Sequence, residues 1–175
     1  MWCFVLIHND SADTIEDVTT QITLLDQGGK SIASQTATPP LDILYPDSSL
    51  PLTAFFALDV PSDAQPQVQI LTAIHLQPND PRYLPAVLQN PSYQVDSSGL
   101  VAQVSGQVNL PSSSKPAKLV WVAAVAYDDA GNVIGVRRWA STAGLNPGGS
   151  LPFSFMVSGI GGTIARVEFA VEARP

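Results

Sequence analysis

Val18-Thr19-Thr20-Gln21-Ile22-Thr23-Leu24-Leu25-Asp26-Gln27-Gly28-Gly29-Lys30-Ser31-Ile32 decides the reading of this chain. Val18, Thr20, Ile22 and Leu24 alternate with Thr19, Gln21 and Thr23, the period of two expected of a strand with one buried face. No helical period competes over a comparable window. The run ends on Asp26-Gln27-Gly28-Gly29, which sets Asp at the first and Gly at the fourth position of a type I turn. Asp accepts a hydrogen bond from the turn backbone, and Gly takes the left-handed conformation of a bulge. A strand, this turn and a second strand make a hairpin.

The same hairpin occurs twice. Residues 25–32 match Tyr127-Asp128-Asp129-Ala130-Gly131-Asn132-Val133-Ile134, and Pro46-Asp47-Ser48-Ser49-Leu50-Pro51-Leu52 matches Pro147-Gly148-Gly149-Ser150-Leu151-Pro152-Phe153, with order and spacing kept to within a residue. Weaker matches pair Val68-Gln69-Ile70 with Val167-Glu168-Phe169, and Asn9 with Asn109. A repeat of this kind predicts an all-β chain of two tandem antiparallel sandwich units, residues 1–77 and 93–175. Between them, residues 78–92 read as a linker because they carry Pro78, Pro81, Pro85 and Pro91. Its Tyr83, Leu84, Ala86, Val87 and Leu88 are too apolar for a solvated tether and are expected to lie against one or both units. Pro51 and Pro152 cannot donate to a ladder, so their strands start there or run along an edge. The first unit reads as lacking its first strand. Tyr93–Val95 and Leu100–Val108 precede Asn109, whereas eight residues precede Asn9. The missing strand would come from an upstream segment or from another copy.

Composition narrows the function classes. With 45% apolar and 13% charged residues the chain is globular rather than disordered. Its net charge of −7 sits in the first half: residues 1–88 hold ten acids against Lys30 and Arg82, while residues 89–175 hold five acids and six bases. Such a protein repels phosphate backbones, and no basic cluster exceeds the Arg137-Arg138 pair, so nucleic acid is not an expected partner. Cys3, the single cysteine, allows no intrachain disulfide. Met1–Ile7 is apolar but has no basic leader and falls far short of the roughly 20 residues a membrane helix needs. It reads as a strand, without membrane insertion by this segment.

Catalytic and metal chemistry find little support. His8 and Cys3 are five residues apart, on opposite faces of an extended strand, and His75 stands alone, so no metal is expected. Asp128-Asp129 belongs to a turn and lacks the spaced acids of a calcium loop. No Gly-x-Ser-x-Gly elbow is present, and the Gly148-Gly149 and Gly161-Gly162 pairs lack a P-loop ending. An enzyme and a cofactor are therefore not expected. Asn9-Asp10-Ser11 fits an N-glycosylation acceptor, while Pro91 disqualifies Asn90-Pro91-Ser92.

The strand ending in Tyr127-Asp128, the turn Asp129-Ala130-Gly131-Asn132, the pair Val133-Ile134 and the later 147–153 stretch resemble FxLyD-type domains. These are small immunoglobulin-like β-sandwich modules of bacterial exported or membrane-tethered proteins. In the first unit Leu25 replaces the Tyr and Asp47 replaces the Gly after the proline. The resemblance implies two immunoglobulin-like units, an extracytoplasmic location and an interaction role.

Aligning the repeats assigns Val18, Thr20 and Ile22, like Val120, Val122 and Ala124, to the inward face. The opposite face is then Thr19, Gln21 and Thr23 in the first unit but Trp121, Ala123 and Val125 in the second. A contiguous apolar stripe is seldom left uncovered. Tyr83, Leu84 and Leu88 of the linker, the first unit or a second chain are the expected cover. Trp121, Trp139 and Tyr45 are candidates for stacking on sugar rings, with sandwich core the commoner fate of the tryptophans. Asp26, Gly29, Asp128 and Gly131 are structural turn residues. The sequence thus points to a non-enzymatic extracytoplasmic interaction or spacer module, the alternative being a carbohydrate-binding module with exposed aromatics.

Overall fold

The alternation in Ile15–Leu25 becomes burial: Val18, Thr20, Ile22 and Leu24 turn inward while Thr19, Gln21 and Thr23 stay partly exposed. The computed structural model describes all of residues 1–175, in twelve strands and no helix. The chain divides into two compact units, Met1–Gln77 and Pro78–Pro175.

In the first unit β1 (Trp2–His8) pairs antiparallel with β5 (Ser49–Phe55). The second sheet is centred on β2 (Ile15–Leu25), with β3 (Ser31–Ala37) and the short β4 (Ile43–Leu44) on one side and β6 (Gln65–His75) on the other. Ile22, Leu24, Leu52, Ala54 and Phe56 form the core, with Cys3, Val5 and Ile7 packed against it. In the second unit β8 (Val101–Asn109) lies between β7 (Val87–Val95) and β11 (Ser150–Ser158). Facing that sheet, β9 (Leu119–Tyr127) lies between β10 (Val133–Ser141) and β12 (Arg166–Arg174). Val104, Val108, Val120, Val122, Ala124 and Phe153 fill the space between the sheets.

The pairings β1–β5, β2–β3 and β2–β6 recur as β8–β11, β9–β10 and β9–β12. Register corrects two of the sequence matches. Leu6 faces Pro51 and Gln107 faces Pro152, so the counterpart of Asn109 is His8. Asn9 instead matches Leu110: both are buried, and their backbone N–H groups reach Ser48 and Gly149 of equivalent turns. Likewise Val68 faces Ile22 where Phe169 faces Ala124, which makes Val68 the counterpart of Phe169 rather than Val167. A two-residue slip preserves alternation, so side-chain parity does not expose it.

The expected linker is also shorter than its prolines suggest, because residues 87–92 belong to β7. Pro91 escapes the ladder at a bulge between Gln89 and Ser92, where Asn90 adopts φ 49°. Across from it Gly106 leaves room: a Cβ there would lie 2.7 Å from the Phe153 ring and 3.1 Å from the Pro91 backbone. Pro51 and Pro152 sit on edge strands. Hydrogen bonds between Met1 and Phe56, and from Asn9 to Ser48, set the alternation so that Pro51 turns its missing N–H to the outer edge of β5.

The turns follow their chemistry. Gly29 (φ 78°) and Gly131 (φ 83°) take left-handed conformations, and their N–H groups donate to the Asp26 and Asp128 carbonyls. Asp26 Oδ1 accepts from the Gly28 and Lys30 backbone, and Asp128 Oδ1 from Asn132. Asp96 and Gly99 (φ 73°) close β7 onto β8 in the same way. In the Pro46 and Pro147 turns the left-handed position is Asp47 (φ 52°) in one unit and Gly148 (φ 69°) in the other.

Asp47→Gly should therefore raise the stability of the first unit by about 0.5–1 kcal/mol, read from its thermal midpoint, because a side chain at positive φ is strained. Gly135→Ala should lower the urea stability of the second unit by roughly 1–3 kcal/mol. The added Cβ would overlap the Ser158 carbonyl oxygen.

Candidate interaction surface

On the outer face of β9, Trp121, Ala123 and Val125 form the stripe expected from the sequence. Ala123 and Val125 are nevertheless buried, and Trp121 is partly so. Their cross-strand neighbours explain this: Arg138 faces Ala123, Glu172 faces Trp121 and Glu168 faces Val125. The Arg138 guanidinium stands 4.3 Å from the Trp121 ring centroid and that of Arg174 5.2 Å. Arg174 donates to Glu172 Oε1 at 2.6 Å and lies 5.0 Å from the Tyr83 ring. Aliphatic stems cover the apolar surface while the cationic heads stack on the rings. Only 1% of Glu172 is exposed, so its pairing with Arg174 takes the place of lost hydration.

Of the residues expected to cover this stripe, Tyr83 takes part through Arg174. Leu84 and Leu88 do not: both pack into the interior cluster, Leu84 held by its N–H on the Ala173 carbonyl. The arginines were missed because their placement depends on register. A bulge between Val133 and Gly135 shifts β10 by one residue and brings Arg138, not Arg137, opposite Ala123. Trp139 lies on the other face, partly buried against the core and 6.0 Å from Phe153. Tyr45 is exposed at the Pro46 turn of the first unit. Trp121 and Trp139 thus occupy opposite faces of one sheet, and the stacking candidates do not form one platform.

Apolar surface open to water lies in the first unit instead. Val68, Ile70 and Ile74 on β6 face Ile22, Thr20 and Glu16 on β2, which are all buried. They therefore share the inward face, yet 61% of Ile70 and 44% of Ile74 are exposed. In the second unit the equivalent Phe169 and Val171 are partly buried, and Leu88 and Val95 of β7 pack in the same clusters. On the outer face of β1 and β5, Trp2 packs 5.1 Å from Phe55 and parallel to Phe4, and Leu6 is exposed nearby. The counterparts in β8 are Gln103, Ser105 and Gln107. The sequence signal for this surface was that residues 1–8 offer no counterpart to the strand-like run Tyr93–Val95, not any motif.

The remaining polar candidates have local roles. His8 Nδ1 lies 3.0 Å from Ser49 Oγ, and His75 Nδ1 lies 3.3 Å from Asp13. Cys3 turns inward, and burial pushes its thiol pKa up. No group of three or more His, Cys, Asp or Glu side chains is placed to share a metal ion. Asn9 of the acceptor sequence is buried, donating to the Asp13 and Leu44 carbonyls and accepting from Ser11.

No protein-family model matches the chain, and a search of curated proteins likewise gives no match.

Arg174→Met should cost the second unit roughly 2 kcal/mol in denaturant unfolding by removing a charged hydrogen bond to a buried carboxylate. Arg174→Lys should recover only part of that loss, since an ammonium cannot reproduce the stacked planar fork. The Asp128 carboxyl is held below the usual Asp range, first by the Asn132 side chain and then by its backbone N–H. A folded-state pKa below the unfolded one stabilises at neutral pH, and this contribution is lost as pH falls through the lowered value. Carbon-detected NMR titration should place Asp128 below the ordinary range, and Asn132→Ala should move it back upward.

Proposed function

We propose that the chain is a non-enzymatic interaction module. Its first unit binds a protein partner and its second is a self-covered sandwich acting as spacer. The observation that carries this reading is the inward face of β6, where Val68, Ile70 and Ile74 meet water at a place that sandwiches fill with core. The aromatic cluster of Trp2, Phe4 and Phe55 adds the residue types that anchor protein interfaces. The resemblance of residues 127–134 and 147–153 to FxLyD-type modules supports reading the two units as tandem immunoglobulin-like domains in an extracytoplasmic setting. Sugar binding draws less support, because Arg138 and Arg174 stack on Trp121, and Trp139 is partly buried against the core on the opposite face of the sheet.

The test is a photo-reactive benzoylphenylalanine placed at Ile70 in the producing cells, with Ser154 on exposed β11 as control. A discrete protein adduct at position 70 and none at 154 is expected. No adduct at 70, or the same adducts at both positions, would overturn the reading.

A further inference from the structure

The two units place five strands alike, and the second adds β7. β7 pairs with the edge of β8 that corresponds to the unpaired edge of β1. In the second unit β10 packs on β11 and β12 packs beneath β7. In the first, β3 packs on β5, and no strand stands over β6. One vacancy therefore accounts for both anomalies, the open edge of β1 and the exposed inward face of β6.

The edge is set to pair. Cys3, Val5 and Ile7 direct their backbone groups to β5, which leaves those of Trp2, Phe4, Leu6 and His8 pointing outward. The counterparts of these four in β8 are Gln103, Ser105, Gln107 and Asn109, which face Gln94, Ser92, Gln89 and Val87 of β7.

Resting on the reading of the first unit as the binding unit, we propose that it accepts one free extended strand from another polypeptide, laid antiparallel along β1 and over β6. A second copy does not fit. Any strand already in a sandwich arrives with its own facing sheet, and that sheet would take the place of β6. This excludes β1 pairing with β1 about a two-fold axis as well as addition of β5 or β7. The long connecting stretches of this chain, 56–64, 76–86 and 110–118, are not free either: backbone N–H groups of Phe56, Leu84 and Ala117 are held on the Met1, Ala173 and Leu145 carbonyls of their own units.

The chemistry of the occupant follows from its surroundings. Its inward residues meet Val68, Ile70 and Ile74, and its outward ones lie beside Trp2, Phe4 and Leu6, so both faces are apolar. Neither β1, β5 nor β6 contains Asp, Glu, Lys or Arg, so the segment is uncharged along its paired length, as β7 is. Residues 1–77 hold nine acids against Lys30, which favours basic residues flanking it. Main-chain hydrogen bonds supply affinity and alternate side chains supply specificity, as in other strand-addition complexes.

The probe is the synthetic peptide KKVTVYVTVKK, titrated into the full chain, with the same peptide carrying Pro in place of its Tyr as control. Saturable binding is expected, with slowed hydrogen exchange at Trp2, Phe4, Leu6 and His8 and a raised melting temperature of the first unit. The Pro peptide should bind at least roughly tenfold more weakly. Ile70→Lys, at a position already in water, should leave the melting temperature of the free chain unchanged and weaken the peptide by a similar factor. Absence of binding, or binding without protection of those four amides, would overturn the strand mode. It would leave the interaction reading to the cross-link at position 70. Self-association through β1 would overturn the choice of occupant. So would protection of the four amides in chain isolated from its native cells before any peptide is added and with no second polypeptide bound.

Discussion

A sheet built from alternating residues has an apolar face that something must cover, and in this chain the cover differs from sheet to sheet. In the second unit β7, β8 and β11 close the interior over β9 and its neighbours. In the first, two strands stand against a wider sheet. Burying an Ile or Val side chain is worth about 1.5–3 kcal/mol. Leaving Val68, Ile70 and Ile74 exposed to 38%, 61% and 44% therefore forgoes part of that gain at each, which counts against the roughly 5–15 kcal/mol that holds a domain folded. An occupant of that face would act on stability as well as on recognition, since whatever binds only the folded state stabilises it.

The turns and the alternation were legible because their causes are local. Asp26 and Gly29, or Asp128 and Gly131, specify a turn through their own side-chain oxygen and backbone freedom, whatever surrounds them. Pro51 and Pro152 were legible as edge signals for the same reason. Register was not. Exchanging Arg137 for Arg138 above Trp121 depends on one bulge at Gly135, which no period reveals. The first half of β7 was hidden by Asn90 and Pro91, two loop-like residues that the strand tolerates because Gly106 and Phe153 accommodate its bulge, while Tyr93–Val95 was legible as strand. The mispairing of Asn9 with Asn109 arose from matching identical residues where the structure matches burial, Asn9 with Leu110.

That last pair shows how the two units differ within one pattern of strand pairing. Leu110 fills its site with hydrocarbon, whereas Asn9 fills the same site with four hydrogen bonds that tie down Ser11, Asp13 and Leu44. Thr20 likewise stands where Val122 does, its hydroxyl donating to the Ala37 carbonyl. Each polar group is buried only because a specific acceptor or donor meets it. The first unit is thus fixed more by particular hydrogen bonds, the second more by packing.

The outer faces differ further, and their difference bears on recognition. In the second unit the apolar outer face belongs to β9, and its flanking strands carry Arg138, Arg174 and Arg166, whose stems and guanidinium groups lie over Trp121 and Tyr127. In the first unit the outer face of β2 is polar, and the apolar one has moved to β1 and β5, as Trp2, Phe4, Leu6 and Phe55. No arginine occurs in residues 1–77, and Lys30 is the one base there. The device that covers an aromatic stripe within the second unit is consequently not available in the first. No guanidinium of residues 1–77 can stack on Trp2 as those of Arg138 and Arg174 stack on Trp121. The same acidic surroundings that attract a basic segment from a distance would hold its flanking charges close to those rings once its uncharged centre is paired.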